Sequence, residues 1–437
     1  MGASKVGLIS VGLPWFDVAV AERFLATTRR VLEQRFTVVG PTSLITTEQE
    51  LRPVLAELRA ADVKAVVFLV GTFPNGNTPG WTAEALGVPL VLMGFPEELS
   101  VDVANNSLCG LNMATYTLTE LGHPHTFVFA DPHTHDGAKR LISHANAAVA
   151  VSELRGTVVG LIGSRAPGFY PAVFDELLLR RQFGVRVEHV GLQEVTDRIK
   201  DGTSKTVPHQ SFPTIEGGEL SAESVTWLGR YYGAVSAAVA KHGFSAWAIK
   251  DWPEMTPRDS GIAAGMWPPL SWLQDDGFNV APEGDVNGAV TMELLARLTG
   301  SMPFFSDVSG FDAERSTLVL WHYGGGTKLA RSRDEIRFGA NGRELEFTLK
   351  PGPGVLARLG YSHGAYRLLI IEVEVLDERV TLRRAAARAL TSKTNAAEVV
   401  AEMLGGGWEH HVSFVPGDVV EDLKAFAKLT GLKVTQL

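Results

Sequence analysis

Short apolar runs rich in β-branched residues alternate, through the first half of the chain, with stretches whose apolar residues recur at helical spacing. No other feature narrows the available folds so far. Val6–Val11 leads through Gly12, Leu13 and Pro14 into a helical pattern at Ala19–Leu32. Thr37–Val39, Ala65–Val70 and Leu90–Met93 read as further strands, with helices at Leu51–Ala60 and Thr82–Ala85. Strands that are apolar throughout are covered on both faces, so the pattern predicts a parallel sheet between helices. After a helical stretch at Gly137–Ser152 a second series begins, with strands at Val158–Ile162 and Val185–His189 and a helix at Ala172–Phe183. A polar excursion at Gly202–Glu216 and a helix at Ala222–Lys241 follow. Beyond Gly300 the texture turns to short strands, Thr317–Trp321, Leu345–Leu349 and Tyr366–Val375, before a helix at Val419–Leu429 and a last strand at Leu432–Thr435. The expected organisation is an α/β domain over 1–154, a second over 155–302, and a β-rich domain over 303–437.

A chain of 437 residues exceeds the ~250–300 that one hydrophobic core serves. The net charge of -9 and a pI near 5.8 provide no basic field for a phosphate backbone, and no Lys/Arg-rich run is interleaved with aromatics. Nucleic acid is therefore not an expected partner. The single cysteine, Cys109, precludes an intrachain disulfide and fits a reducing compartment, so a cytoplasmic location is expected. The apolar stretch after Lys5 is too short for a signal core or for a membrane span of about 20 residues, and no membrane attachment is expected.

Chemistry concentrates between Lys250 and Val290. Lys250-Asp251-Trp252-Pro253-Glu254 precedes Trp267, Trp272 and then Pro282-Glu283-Gly284-Asp285. A glycine between two carboxylates lets the backbone turn sharply enough to aim both at one point. With Glu254 as a third, they form a hard-oxygen site for Mn²⁺ or Mg²⁺. The same acids, placed just before a helical pattern near Gly288, also suit helix capping. A second group is Trp408-Glu409-His410-His411, after Gly405–Gly407. Adjacent residues on an extended chain point to opposite sides, so one His of the pair should enter a given site and the other contact substrate. An imidazole beside carboxylates shifts the preference toward Mn²⁺, Fe²⁺ or Co²⁺. His322 ends an apolar strand at a glycine-rich turn, where a ligand can approach the backbone closely. His133 and His135 read as a solvated loop. The run Gly160–Gly168 lacks both the Gly-Lys-Ser/Thr ending and dinucleotide spacing, and no serine elbow or Cys-x-x-Cys occurs, so no nucleotide cofactor and no nucleophilic hydrolase are expected.

The ordered set Gly71-Thr72-Phe73-Pro74, Ser107–Asn112, Gly160–Tyr170, Lys250–Glu254, Ala281–Ala289, Leu320-Trp321-His322, Lys350–Pro353 and His410-His411 resembles the L-fucose/L-arabinose isomerase family along nearly the whole chain. The resemblance implies a Rossmann-like N-terminal domain, a second α/β domain and a C-terminal β-barrel-like domain, assembled as hexamers or trimers with sites at subunit interfaces. It implies Glu254 as the first carboxylate ligand of a divalent metal, Mn²⁺ or another such as Mg²⁺ or Co²⁺. The Glu283/Asp285 pair supplies the second carboxylate, and His411 the imidazole. Glu254 and Asp285 are the implied base and acid of an aldose–ketose isomerisation of a monosaccharide through an enediolate. Trp15, Trp81, Trp252, His322 and His410 are the implied substrate contacts, Trp15 and Trp81 reaching a neighbouring subunit's site. Asp251 and Pro282 stand where the family often has Cys, and Glu409 adds an acid beside the His pair. These departures point to a different or modified sugar, with Arg165 and Lys250 placed to meet an anionic substituent. A lyase or hydrolase on a modified sugar, or a non-catalytic sugar-binding protein, are the alternatives.

Overall fold

The computed structural model describes residues 3–97, 103–207, 219–255, 267–339 and 342–437, and the chain divides into two compact units. The first comprises Met1–Arg155 and Glu421–Leu432. Its sheet consists of β1 (Lys5–Val11), β2 (Thr37–Val39), β3 (Ala65–Val70), β4 (Leu90–Gly94) and β5 (His125–Phe129), all parallel, in the order β2-β1-β3-β4-β5. Every residue of β3 is buried, as a central strand covered on both faces requires. The helix Glu48–Ala60 starts three residues before the apolar pattern that marks it from Leu51, because a cap precedes that pattern. Thr47 and Glu50 form a reciprocal capping box, each side chain accepting the other's backbone N–H at 3.3 and 3.1 Å. The segment Glu421–Leu432 is anchored to this unit by Asn146 Nδ2, which donates to Asp422 at 2.6 Å.

The second unit comprises Gly156–Val420 and Lys433–Leu437. It opens on a parallel sheet of β6 (Val158–Ile162), β7 (Arg186–Val190), β8 (Ala246–Ile249) and β9 (Asn279–Ala281), ordered β7-β6-β8-β9. Nine strands then make a mixed sheet: β10 (Phe304–Asp312), β11 (Thr317–His322), β12 (Arg337–Phe338), β13 (Leu345–Thr348), β14 (Gly352–Ser362), β15 (Ala365–Val375), β16 (Ala385–Thr391), β17 (His411–Pro416) and β18 (Lys433–Gln436). β15 also pairs with β16 from Val373↔Thr391 to Val375↔Ala389, so the ladder β16-β11-β10-β17-β14-β15 returns to its starting strand. Between the two sheets runs the helix Val286–Thr299, buried on nearly all sides and packed on β8 and β9 as well as on β14 and β17. Its N-terminus is where strand ends from both sheets meet.

The chain is thus broadly α/β. The stretch expected as one helix at Ala172–Phe183 is a 3₁₀ turn at Tyr170–Ala172 followed by a helix at Glu176–Phe183, because Asp175 accepts the Leu178 N–H at 2.8 Å and caps a new helix there. Of the polar excursion, residues 202–207 carry no regular structure and 208–216 lie outside the described residues. Among the described residues no helix is long and apolar enough to cross a membrane.

Candidate active site

The site is built in the second unit around the turn between β9 and the buried helix. Glu283 adopts φ 62° and Gly284 φ 70°. A glutamate in the left-handed region is held there against its preference, which requires surrounding contacts to fix it. Asp251 supplies them: its Oδ1 accepts the Glu283 N–H at 2.8 Å, while its Oδ2 accepts Trp267 Nε1–H at 2.9 Å. Gly284 lets this turn cross the loop after β6, since a Cβ there would lie 2.6 Å from the Ser164 carbonyl oxygen. The Glu283 carboxylate then receives the Tyr323 hydroxyl at 2.8 Å. Burial raises its proton affinity, but His411, His322 and Tyr323 outweigh that and hold its pKa at about 2. Glu283 is therefore a fixed anion.

Two imidazoles face it from strand ends. His322, at the end of β11, is buried, and its Nδ1 donates to the Tyr323 carbonyl at 2.9 Å, leaving the Nε2 lone pair directed inward. Burial first, and then the neighbouring His411, depress its pKa to about 3, so the ring stays neutral. His411 opens β17 and is also buried. Its Nδ1–H donates to Asp285 Oδ2 at 2.9 Å, which turns Nε2 toward Glu283 Oε2 and Asp307 Oδ1, both at 3.4 Å. Asp307 sits directly across the β10–β17 ladder from His411. His411 Nε2 and Asp307 Oδ1 are buried without a hydrogen-bond partner. Burial raises the Asp307 pKa to about 6.

Asp285 plays another part. It is the N-cap of Val286–Thr299, accepting the Gly288 N–H at 2.9 Å, and it takes both guanidinium arms of the buried Arg358, at 2.5 and 3.2 Å. With His411 as a third donor its carboxylate has no free face, and it stays ionised well below the ordinary range despite its burial. It orients His411 from behind, as metal-ligating imidazoles are commonly oriented.

Ligand atoms of Glu283, His322 and His411 lie within 4.8 Å of one another, as do those of Asp307, His410 and His411. Two imidazoles and a carboxylate with open positions suit a divalent transition metal. The partnerless His411 Nε2 and Asp307 Oδ1 are the kind of buried polar atoms that such an ion would satisfy. The residues fit a cation.

The structure thus brings together Glu283, Asp285, His322, His410 and His411. His410 comes closer than strand alternation suggests: it precedes β17 in a bend, so its Nε2 also faces Asp307, at 3.9 Å, with its side chain 45% exposed. Trp252 borders the group through Phe169, which meets both the Trp252 and His410 rings edge-on. Glu254 lies outside both groups; it is exposed and ion-paired to Lys250 at 2.5 Å. Arg165 covers the Tyr170 ring at 5.1 Å. In the first unit, Trp15 is exposed beyond β1 and Trp81 is packed against the core of that unit. His133 is bonded to Asp131 and Thr27 there, and His135 begins the helix His135–Leu154. Sequence reasoning passed over Asp307 and Arg358, although a lone charge in an apolar strand is buried only when it has a partner, and that signal was present.

Residues 7–155 match the family model described as the N-terminal domain of fucose/sulfoquinovose isomerases. The sulfoquinovose isomerase of Alkalicoccus urumqiensis is 27% identical over 97% of each chain. Those of Priestia aryabhattai and of Clostridium sp. (strain MSTE9) are 25% and 24% identical over 99% of each. A solved periplasmic solute-binding protein of Actinobacillus succinogenes with bound D-allose matches at 12% identity, over 68% of this chain and 92% of that one, with a TM-score of 0.18. The near-complete coverage by sulfoquinovose isomerases and the matched N-terminal domain support the fucose isomerase-like family, and an isomerase activity, for this chain.

Proposed function

We propose that this enzyme interconverts sulfoquinovose, a glucose derivative with a sulfonate on C6, and its 2-keto isomer, using a divalent metal held by Glu283, His322 and His411. The observation that carries the reading is the convergence of these three side chains, each locked from behind: Glu283 by Tyr323, His322 by the Tyr323 carbonyl, His411 by Asp285. The names of the relatives support the choice of sugar.

A Mn²⁺ ion there would supply Lewis acidity to the sugar oxygens at C1 and C2. The chain's own residues do the rest. Moving a proton between C1 and C2 needs a group that can take and return it, with a pKa near the working pH. Asp285 is spent on three donors, and Glu254 is tied to Lys250. Asp307 is better suited: it has a raised pKa of about 6 and an oxygen without a partner beside His411. Glu283, with a pKa of about 2, stays anionic throughout. The Phe169 and Trp252 rings border the group and exclude water from the enediolate that forms on proton removal.

The family resemblance supports a cytoplasmic hexamer or trimer, with Trp15 and Trp81 reaching a neighbouring copy's site. The returning ladder from β16 round to β15 supports a barrel-like C-terminal part. Chelator-stripped protein, with and without added Mn²⁺, is tested on sulfoquinovose, quinovose, glucose, fucose and arabinose. Metal-dependent ketose formation at unchanged mass supports the reading. A product of lower mass would favour a lyase or hydrolase, and the absence of ketose from every sugar would overturn the proposal.

A further inference from the structure

We infer that Arg384, caged by Trp267, Trp321 and Tyr323, anchors the anionic group at the far end of the sugar. The inference rests on the isomerase reading above and assigns its specificity to one cation.

The guanidinium carbon of Arg384 lies 4.7, 4.3 and 4.9 Å from the ring centres of Trp267, Trp321 and Tyr323. No hydrogen bond or ion pair joins that guanidinium to another described residue. An arginine so placed has its flat faces covered by aromatic rings, while the N–H groups around its edge remain to be satisfied. That edge presents a planar fork of donors matched to the oxygens of a tetrahedral anion. A lysine would bring the charge without the fork.

The cage is continuous with the catalytic group. Tyr323, which stacks on Trp267 at 4.4 Å, donates to Glu283 at 2.8 Å, and Trp267 donates to Asp251 at 2.9 Å. One aromatic ring, that of Tyr323, therefore touches both Arg384 and the carboxylate at the proposed metal end of the sugar. A site carrying Asp251, Glu283 and Asp307 repels a second anion unless a cation meets it, and Arg384 is placed to do so.

The backbone is committed to this placement. Arg384 adopts φ 74°, a left-handed conformation in which a side-chain-bearing residue is held under strain. The preceding residue is fixed by Trp321 itself, whose Nε1–H donates to the Arg383 carbonyl at 2.5 Å. The aromatic cage and the strained turn thus determine each other.

The test compares sulfoquinovose with quinovose, which has a methyl group in place of the sulfonate arm, on Mn²⁺-reconstituted wild type, Arg384→Gln and Arg384→Lys. Dissociation constants for both sugars are followed by tryptophan fluorescence, because Trp267 and Trp321 line the cage. Losing charged hydrogen bonds to one anion should lower the sulfoquinovose-to-quinovose ratio of kcat/KM by about 10- to 150-fold in Arg384→Gln, through KM rather than kcat, with partial recovery in Arg384→Lys. A ratio unchanged within twofold overturns the inference. If the wild type turns over neither sugar, the isomerase reading fails, and binding decides separately: tighter binding of sulfoquinovose that is lost in Arg384→Gln supports the anchor, and equal binding of the two sugars overturns it. If Arg384→Gln is insoluble, the same ratio is read in Arg384→Lys, where a fall beyond twofold supports the anchor and a ratio unchanged within twofold overturns it.

Discussion

Arg358 and Asp285 form an ion pair with 1% and 0% side-chain exposure, and removing either partner should be among the most damaging single changes in the second unit. Both guanidinium arms meet both carboxylate oxygens, so neither charge is screened by water. Breaking such a buried pair from one side typically costs about 3–5 kcal/mol, because the remaining charge stays buried. Arg358→Met belongs at the lower end, since Asp285 keeps the His411 ring and the Gly288 N–H as donors. Asp285→Asn belongs at the upper end: the amide oxygen still caps the helix and accepts one Arg358 arm, but the Oδ2 acceptor shared by Arg358 and His411 is lost, and the nearest remaining carboxylate to Arg358 is Glu409 at 3.9 Å. For a unit of this size the losses correspond to roughly 6–20 °C in melting temperature. Calorimetry on chelator-treated protein should rank wild type above Arg358→Met and Arg358→Met above Asp285→Asn. The double variant Arg358→Met/Asp285→Asn should lose less than the sum of the two. Shifts below about 2 °C for both single variants would refute the reading of a buried, mutually dependent pair.

Further expectations follow from other parts of the site. Burial lowers the proton affinity of His411, but Asp285 and Glu283 outweigh it and raise the pKa from 6.5 to about 9. The metal-free protein therefore holds about 3 kcal/mol of stability in this proton, fully present below pH 6.5 and lost as pH rises through 9, which urea midpoints of wild type and His411→Asn will reveal. Because a cation must displace that proton, Mn²⁺ affinity should climb about tenfold per pH unit up to about pH 9, with one proton released per ion in titrations across several buffers. Glu254→Gln should leave Mn²⁺ affinity within about twofold, because the carboxylate is exposed and occupied by Lys250; a tenfold loss would return Glu254 to the ligand set. Gly284→Ala should cost about 1–3 kcal/mol in urea unfolding, since it adds a Cβ at φ 70° against the Ser164 carbonyl, and an unchanged midpoint would contradict the described turn.

The strands β1, β3, β4 and β6 were legible in the sequence because a buried parallel strand is apolar from end to end, and Ala65–Val70 is found with the bounds its composition suggests. The helix Ala222–His242 was equally plain, running between the Ser221 cap and Gly243. β14 was not legible, since Gly352, Pro353, Gly354 and Gly360 read as loop; the strand forms because β15 and β17 pair with it on either side. Glu283, Asp285, His322 and His411 stood out as polar residues at strand and helix ends. What the sequence hid was their division of labour. Glu283 and Asp285 are two residues apart and chemically alike, and only the position of Arg358, 73 residues beyond Asp285, makes one a capped, paired orienting group and leaves the other facing the imidazoles. The partnership of Asp307 with His411 likewise depends on the register of β10 against β17, which no local pattern announces.

The most direct measurement is a Mn²⁺ titration, followed by electron paramagnetic resonance and calorimetry, of chelator-stripped wild type beside Glu283→Gln, His322→Asn and His411→Asn. One ion per chain in the wild type, with affinity at least about tenfold weaker in each variant, is the expected result. Undiminished binding in the three variants would place the ion elsewhere and contradict the site described above.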